Sequence, residues 1–268
     1  MRTKKKEESM KVRRTSLVKW GTIAVLSVLV LVATASISAG AIADHVVISE
    51  IQAYNESAKD DWIELYNPTN VDINLAAGGY RIVKASTSAN WYIVMRIGDG
   101  GDGTYPGGTT LPAHGFYLIV DSNASESLKI KADAIGNRTE FTWTGTGYTL
   151  YLGTGAINSD DDQDIVDKVG FGSDATYNET LPAPAIPNGE SIQRKVNATI
   201  NESDLYGQAW DSDNNSADFF IQESPKPTNS TTSSADPLPP IPELSTLMLL
   251  SLGLIALLGY AHLKKRDK

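Results

Sequence analysis

The sequence predicts an all-β domain of the sandwich type over residues 44–222, and three observations carry that prediction. Short apolar runs rich in Val, Ile, Tyr and Trp recur along the region, each bounded by Gly, Asn, Asp or Pro. Within residues 61–67 the pattern alternates, with Ile63 and Leu65 toward one face and Trp62, Glu64 and Tyr66 toward the other. No amphipathic helical run of ten or more residues interrupts the series. About eight strands in so short a region suit two stacked sheets better than a barrel enzyme or a parallel sheet.

The strands follow in order. HVVISEIQAY (45–54) opens the series and DWIELYN (61–67) supplies the alternating strand. YRIVKA (80–85) and WYIVMRI (91–97) come next, then FYLIVD (116–121) and GYTLYLG (147–153). DIVDKVGF (164–171) and ESIQR (190–194) complete the set. Between the fourth and fifth runs, residues 98–103 read GDGGDG, a literal G-x-G-x-x-G. That match lacks the helix that would receive a pyrophosphate, and its two aspartates would repel one. It reads as a flexible loop.

Both ends of the chain differ from this body. Residues 1–20 are basic, and residues 21–43 then run without a charge into Ala39, Gly40, Ala41, Ile42 and Ala43. This is the layout of a secretory signal, with cleavage after Ala43 or two residues earlier. An uncleaved signal anchor fits the same residues, because 23 uncharged residues can span a bilayer. Residues 223–242 are rich in Pro, Ser and Thr and read as an extended stalk. Residues 243–268 hold a 17-residue apolar stretch (247–263) and a basic tail. The stretch is just long enough to cross a membrane, with the tail on the cytoplasmic side.

Charge separates along the same lines. Twelve of the 23 basic residues, but only four of the 32 acidic ones, lie before residue 44 or after residue 242. The region between them holds 11 basic and 28 acidic side chains, a net of −17. Such a surface repels phosphate, so no nucleic-acid partner is expected. With no cysteine, disulfides, thiolate metal sites and thiol catalysis are excluded.

The strand sequences resemble the lamin tail domain family. VVISEI (46–51), WIELYNPT (62–69) and LPAHGFYLIV (111–120) look like its characteristic segments. NLAAGGYRI (74–82) is similar to its Leu-x-Gly-Trp-type segment, with one extra residue and Tyr80 in the Trp place. Residues 148–152, 167–172 and 190–194 follow in the family's order. Trp210 and the Pro225-Lys226-Pro227-Thr228-Asn229 sequence resemble its closing segment. The resemblance covers residues 45–229 and implies an immunoglobulin-like β-sandwich with insertions near 98–108 and 197–213. It also implies binding or structural work, since no partner enzyme domain accompanies it. Pro242-Glu243-Leu244, the apolar stretch and the basic tail resemble the archaeal PEF-CTERM sorting signal, with Leu244 where Phe is usual. That resemblance implies an archaeosortase-like processing enzyme as a partner. A plain C-terminal membrane anchor explains the same residues.

Candidate sites are few. Eight N-x-[ST] sequons, at Asn55, Asn123, Asn137, Asn178, Asn197, Asn201, Asn214 and Asn229, read as glycosylation acceptors on an exported chain. Asp160, Asp162 and Asp164 alternate within an acidic run, which would suit Ca²⁺, and Asp211, Asp213 and Asp218 form a second such run. Glu50, Glu64 and Arg194 lie on strands the resemblance matches, where an Arg–carboxylate pair would tie strands together, with Trp62 a structural aromatic. Trp91, Trp143, Trp210, Tyr92, Tyr105 and Tyr206 could stack on sugars if any share an exposed face. No catalytic constellation is found, since the region holds only His45 and His114 and lacks G-x-S-x-G. The expected protein is therefore a non-enzymatic, membrane-anchored surface module. The alternative is a cation-dependent carbohydrate- or protein-binding adhesin of the cell envelope.

Overall fold

A computed structural model describes residues 41–53, 60–87, 90–203, 205–232, 234 and 253. The leader up to residue 40, Asn55, and the Pro242-Glu243-Leu244 motif with the apolar stretch after it lie outside the described residues. No helix among the described residues is long and apolar enough to cross a membrane.

The described chain is mostly β, consistent with an immunoglobulin-like sandwich. Its strands are β1 (Ala41–Ile42), β2 (Val47–Gln52), β3 (Trp62–Tyr66), β4 (Ile73–Asn74), β5 (Arg81–Thr87), β6 (Asn90–Arg96), β7 (Gly103–Thr104) and β8 (Thr110–Leu111). After β9 (Phe116–Asp121) come a single helical turn, α1 (Glu126–Lys129), and then β10 (Ala134–Gly136), β11 (Gly147–Gly153), β12 (Ile165–Gly172) and β13 (Ser191–Arg194). β14 (Trp210–Asp211), a second turn α2 (Asn215–Asp218) and β15 (Phe219–Gln222) end the series. A seven-stranded sheet runs β15-β13-β2-β3-β9-β10-β7 and a four-stranded sheet runs β12-β11-β5-β6. All eight expected strands are present.

The two sheets share one apolar core. Ile48, Ile51, Ile63, Leu65, Ile119 and Ile192 come from the larger sheet, and Ile82, Val94, Leu150, Val169 and Phe171 come from the smaller. Ile48 and Ile51 are three residues apart, so strict alternation would send them to opposite faces. A bulge corrects this: Ile48 pairs with Leu65 and Glu50 with Glu64, leaving Ser49 as the extra residue. Both isoleucines then enter the core, while Glu50 and Glu64 stand side by side on the outer face.

That outer face is covered as well. All five residues of β3 are buried. Trp62 packs with Leu118, Val120, Ala124, Leu128 and Ala132, and its indole N–H donates to Gln52 Oε1 at 2.6 Å. Tyr66 packs with Ala43, Val47, Phe116 and Ala209. Gly207 is required here, because a Cβ at that position would overlap the Tyr66 ring.

Two boundaries move from their expected places. Ala41 and Ile42 pair with Asp211 and Trp210, and the Ala43 N–H donates to Ala209 O at 2.9 Å. Among the described residues, strand pairing thus extends back to Ala41, ahead of the expected Asp44, and cleavage after Ala43 would remove β1. At the other end, residues expected to form a free stalk lie on the larger sheet. The Thr228 N–H donates to Glu64 Oε2 at 2.8 Å and the Ser230 N–H to Asp133 Oδ2 at 2.9 Å. Asn229 Nδ2 donates to Lys131 O at 2.7 Å, and Ser234 N to His114 O at 2.7 Å. These prolines and hydroxyl residues cannot build a core of their own, but they can cap polar groups that a core leaves behind.

The GDGGDG loop is also pinned, contrary to its expected flexibility. Asp102 is 2% exposed and accepts from Arg96 Nε at 2.7 Å, Arg96 N at 3.0 Å and Arg138 Nη1 at 3.0 Å. Burial alone would raise its pKa, but the bonds from Arg96 and Arg138 outweigh burial and hold it below the ordinary value. Stability from this group is present above the unfolded carboxylate pKa and is lost as pH falls through the lower folded value. Asp102→Asn is accordingly expected to lower the Tm at pH 7, with the difference shrinking toward pH 2. A thermal melt series over pH would show it, and a constant difference would count against it.

Candidate functional site

Three polar constellations occupy the fold. The first is a tie between the sheets. Arg194 on β13 is fully buried, with Nη2 at 2.9 Å from both carboxylate oxygens of Asp167 on β12. Its Nε donates to Ile48 O and its Nη1 to Trp210 O, each at 3.0 Å, and the guanidinium lies 4.7 Å from the Phe219 ring centroid. Asp167 Oδ2 also accepts from Ile48 N at 2.6 Å. Burial would lower the Arg194 pKa, but Asp167 and Asp211 raise it above its ordinary value. The partner expected for Arg194 was Glu50 or Glu64; the structure gives it Asp167, because β12 faces it across the core while the glutamates point outward.

The second is the glutamate pair itself, each member 1% exposed. Glu64 accepts from Ser49 Oγ at 2.7 Å and from Thr228 N, while Glu50 accepts from Ser191 Oγ and from Gln193 Nε2 at 3.2 Å. Burial, and then the charge of Glu64, push Glu50 well above the usual carboxylate range. Burial pushes Glu64 up to about 7. Thr228 lies over Glu64, and both carboxyls accept hydrogen bonds from protein groups.

The third is a group of carboxylates, Glu179, Asp211 and Asp218, drawn together by α2 and the turns beside it. Asp211 and Asp218 belong to the second acidic run, while Glu179 was not anticipated. Asn215 holds the group in place, donating from Nδ2 to Glu179 Oε2 at 2.8 Å and to Lys168 O at 3.0 Å. Burial, with Asp167 and Asp211 nearby, pushes Glu179 up to about 9, so it holds a proton at neutral pH. Arg194 Nη1 lies 3.7 Å from Asp211 and supplies positive charge there.

Asp160, Asp162 and Asp164, the residues of the Ca²⁺ reading, share no hydrogen-bond partner among the described residues. Asp160 Oδ1 accepts from the Tyr151 hydroxyl at 2.8 Å and from the Lys168 ammonium at 3.0 Å. Asp162 is turned to the backbone N–H groups of Asn158 and Asp164. A lysine on the first carboxylate opposes a cation, and no gathering of these three oxygens is found among the described residues. Melting curves in excess Ca²⁺ and in chelator are expected to superimpose; a Ca²⁺-dependent rise would contradict this.

The sequons divide by exposure. Asn123, Asn137 and Asn201 are exposed, while Asn178, Asn214 and Asn229 are half-buried. Asn197 is 2% exposed and accepts from the Thr199 and Ile200 N–H groups as a turn residue. Most of the aromatics are packing residues: Trp143 and Trp210 are buried, and Trp91 stacks on Tyr177.

Tyr206 is different. It borders an open recess of about 190 Å³ between β13, the 202–208 segment and the 226–234 segment. Gln193, Gln208, Ser203 and Thr232 are among the other lining residues.

The model of the family described as Lamin Tail Domain matches residues 40–173. The chain belongs to the lamin tail domain family. The match begins at the residue before β1 and spans the strands from β1 to β12. No curated protein and no solved structure gives a match. In this lamin tail domain the recess lies beyond the matched residues, apart from Phe116 in its wall.

Proposed function

We propose that this lamin tail domain is a non-enzymatic structural or binding module, displayed outside the cell on a membrane-anchored stalk. The observation that carries the reading is the fate of the titrating side chains. Glu50, Glu64, Asp167 and Arg194 are each spent on protein partners out of reach of solvent, which supports structural work and not turnover. The −17 body between two basic, apolar-flanked ends supports export and anchoring. The stalk in this reading is residues 235–242, since the segment before it belongs to the domain. An archaeosortase-like enzyme would process the Pro242-Glu243-Leu244 end, and Asn123, Asn137 and Asn201 are the sequons best placed for glycans.

A second reading, an adhesin that binds carbohydrate or protein in the envelope, is favoured by the polar recess. Cation dependence is not part of it, given the lysine and arginine already set against the carboxylates.

Intact mass spectrometry of the protein extracted from native membranes tests display and processing together. A membrane-bound species lacking the leader and carrying glycan mass is expected, with glycosylated peptides at the three exposed sequons. A full-length, unmodified mass in the soluble fraction would overturn the reading.

A further inference from the structure

We infer that Asn188 and Gly189 form a self-modifying site, at which the asparagine converts to aspartate and isoaspartate through a cyclic imide. The pair is the one Asn-Gly step in the chain. It occupies the turn ahead of β13, closed by the Glu190 N–H donating to Pro187 O at 3.1 Å. Gly189 takes φ +81°, as the second central residue of a type II turn does. Both residues are exposed, and a Cβ built on Gly189 meets no atom within 4 Å.

The reaction needs a free backbone N–H beside a free side-chain amide, and here both conditions hold. Among the described residues neither the Gly189 N–H nor the Asn188 amide has a protein partner. Elsewhere the attacking group is already engaged. After Asn123, the Ala124 N–H donates to Asp121 O at 3.0 Å. After Asn178, the Glu179 N–H donates to Asn215 Oδ1 at 3.0 Å. After Asn229, the Ser230 N–H donates to Asp133 Oδ2 at 2.9 Å. Asn158 is the nearest rival, being exposed and followed by an exposed residue, but Ser159 carries a side chain that crowds its own nitrogen. Glycine alone leaves that nitrogen open and lets the backbone turn into a five-membered ring.

The steps balance with water as the only co-reactant. Base removes the Gly189 amide proton, and the nitrogen attacks Asn188 Cγ. The new C–N bond closes the ring as the bond from Cγ to Nδ2 breaks, and Nδ2 departs with a proton as ammonia. Water then opens the imide at either carbonyl. Opening at Cγ gives aspartate, and opening at the main-chain carbonyl gives isoaspartate, whose backbone runs through Cβ. Each event adds a carboxylate to a region of net charge −17. The isoaspartyl form also lengthens the chain entering β13, the strand that sets Ser191 on Glu50 and Arg194 on Asp167. The ratio of the three forms records the time since folding. Solvent water suffices, so the site does not depend on where the domain is displayed.

The test holds the full-length folded protein at pH 8, takes samples over time and digests them at mildly acidic pH. Peptide mass spectrometry with electron-transfer fragmentation then separates aspartate from isoaspartate. The amide-to-acid mass gain is expected at residue 188 before any other asparagine, as a mixture of both products, and faster at higher pH. Gly189→Ala should slow it at least about tenfold, with the Tm reporting that the variant is folded. Conversion of Asn158 or another asparagine first would overturn the proposal, and this comparison needs no variant. Aspartate without isoaspartate would also overturn it, because direct hydrolysis of the side chain passes through no imide. So would an unchanged rate in a folded Gly189→Ala protein.

Discussion

Arg194→Met is expected to lower stability by about 3–5 kcal/mol, the range for removing one partner of a buried ion pair. In Tm that is a fall on the order of 10 °C. The loss has identifiable parts. Asp167 keeps its charge in a site with no solvent, and the carbonyls of Ile48 and Trp210 lose their donors. Arg194→Lys should recover little, because one ammonium cannot serve the three directions that the planar guanidinium serves at once. The double variant Arg194→Met/Asp167→Leu should recover part, since the stranded charge is gone, but the two carbonyls and the Ile48 N–H remain open. Urea denaturation of the three variants measures this. A single variant within about 1 kcal/mol of the parent would show that the tie is dispensable.

Glu50→Gln is expected to act in the opposite direction, and only above mildly acidic pH. Burial and the neighbouring Glu64 raise the folded pKa of Glu50, and burial raises that of Glu64 to about 7. In the unfolded chain both titrate near the ordinary carboxylate value. Between those limits the folded state binds more protons, so stability falls as pH rises. Glutamine cannot lose a proton and still accepts from Ser191, while its amide nitrogen replaces the oxygen that accepts from Gln193, so that one bond is given up. The variant should match the parent near pH 4 and have the higher Tm at pH 8, with the gap widening as pH rises between them. Parallel curves of Tm against pH for the two proteins would refute this account of the buried glutamates.

Both predictions rest on facts that the sequence held unequally. Asp167 and Arg194 were legible in principle. Asp167 alternates with Val169 and Phe171, and Arg194 with Ile192, all core residues, so opposite charges stood at inward positions of two facing strands. The reading fixed instead on the glutamates, among 28 carboxylates that offer many pairings. Trp62, Glu64 and Tyr66 were placed correctly on the second face of β3. Their burial was not legible, because what covers them is distant in sequence: residues 118–132 over Trp62, Ala43, Phe116 and Ala209 around Tyr66, and Thr228, from a segment whose composition signals exposure, on Glu64. The short strands β1, β4, β7, β8, β10 and β14 span two or three residues each, too few to carry a period.

The docking of the 228–234 segment also decides where a mechanical load enters the domain. A pull on the chain beyond Ser234 does not begin by peeling β15 from the edge of the sheet. It is taken first by bonds to His114 and Tyr66, then at Asp133 and Lys131, and then at Glu64 in the middle strand. Each contact can release without the next, so a pull on this segment is expected to give in steps before it reaches the strands of the sheet.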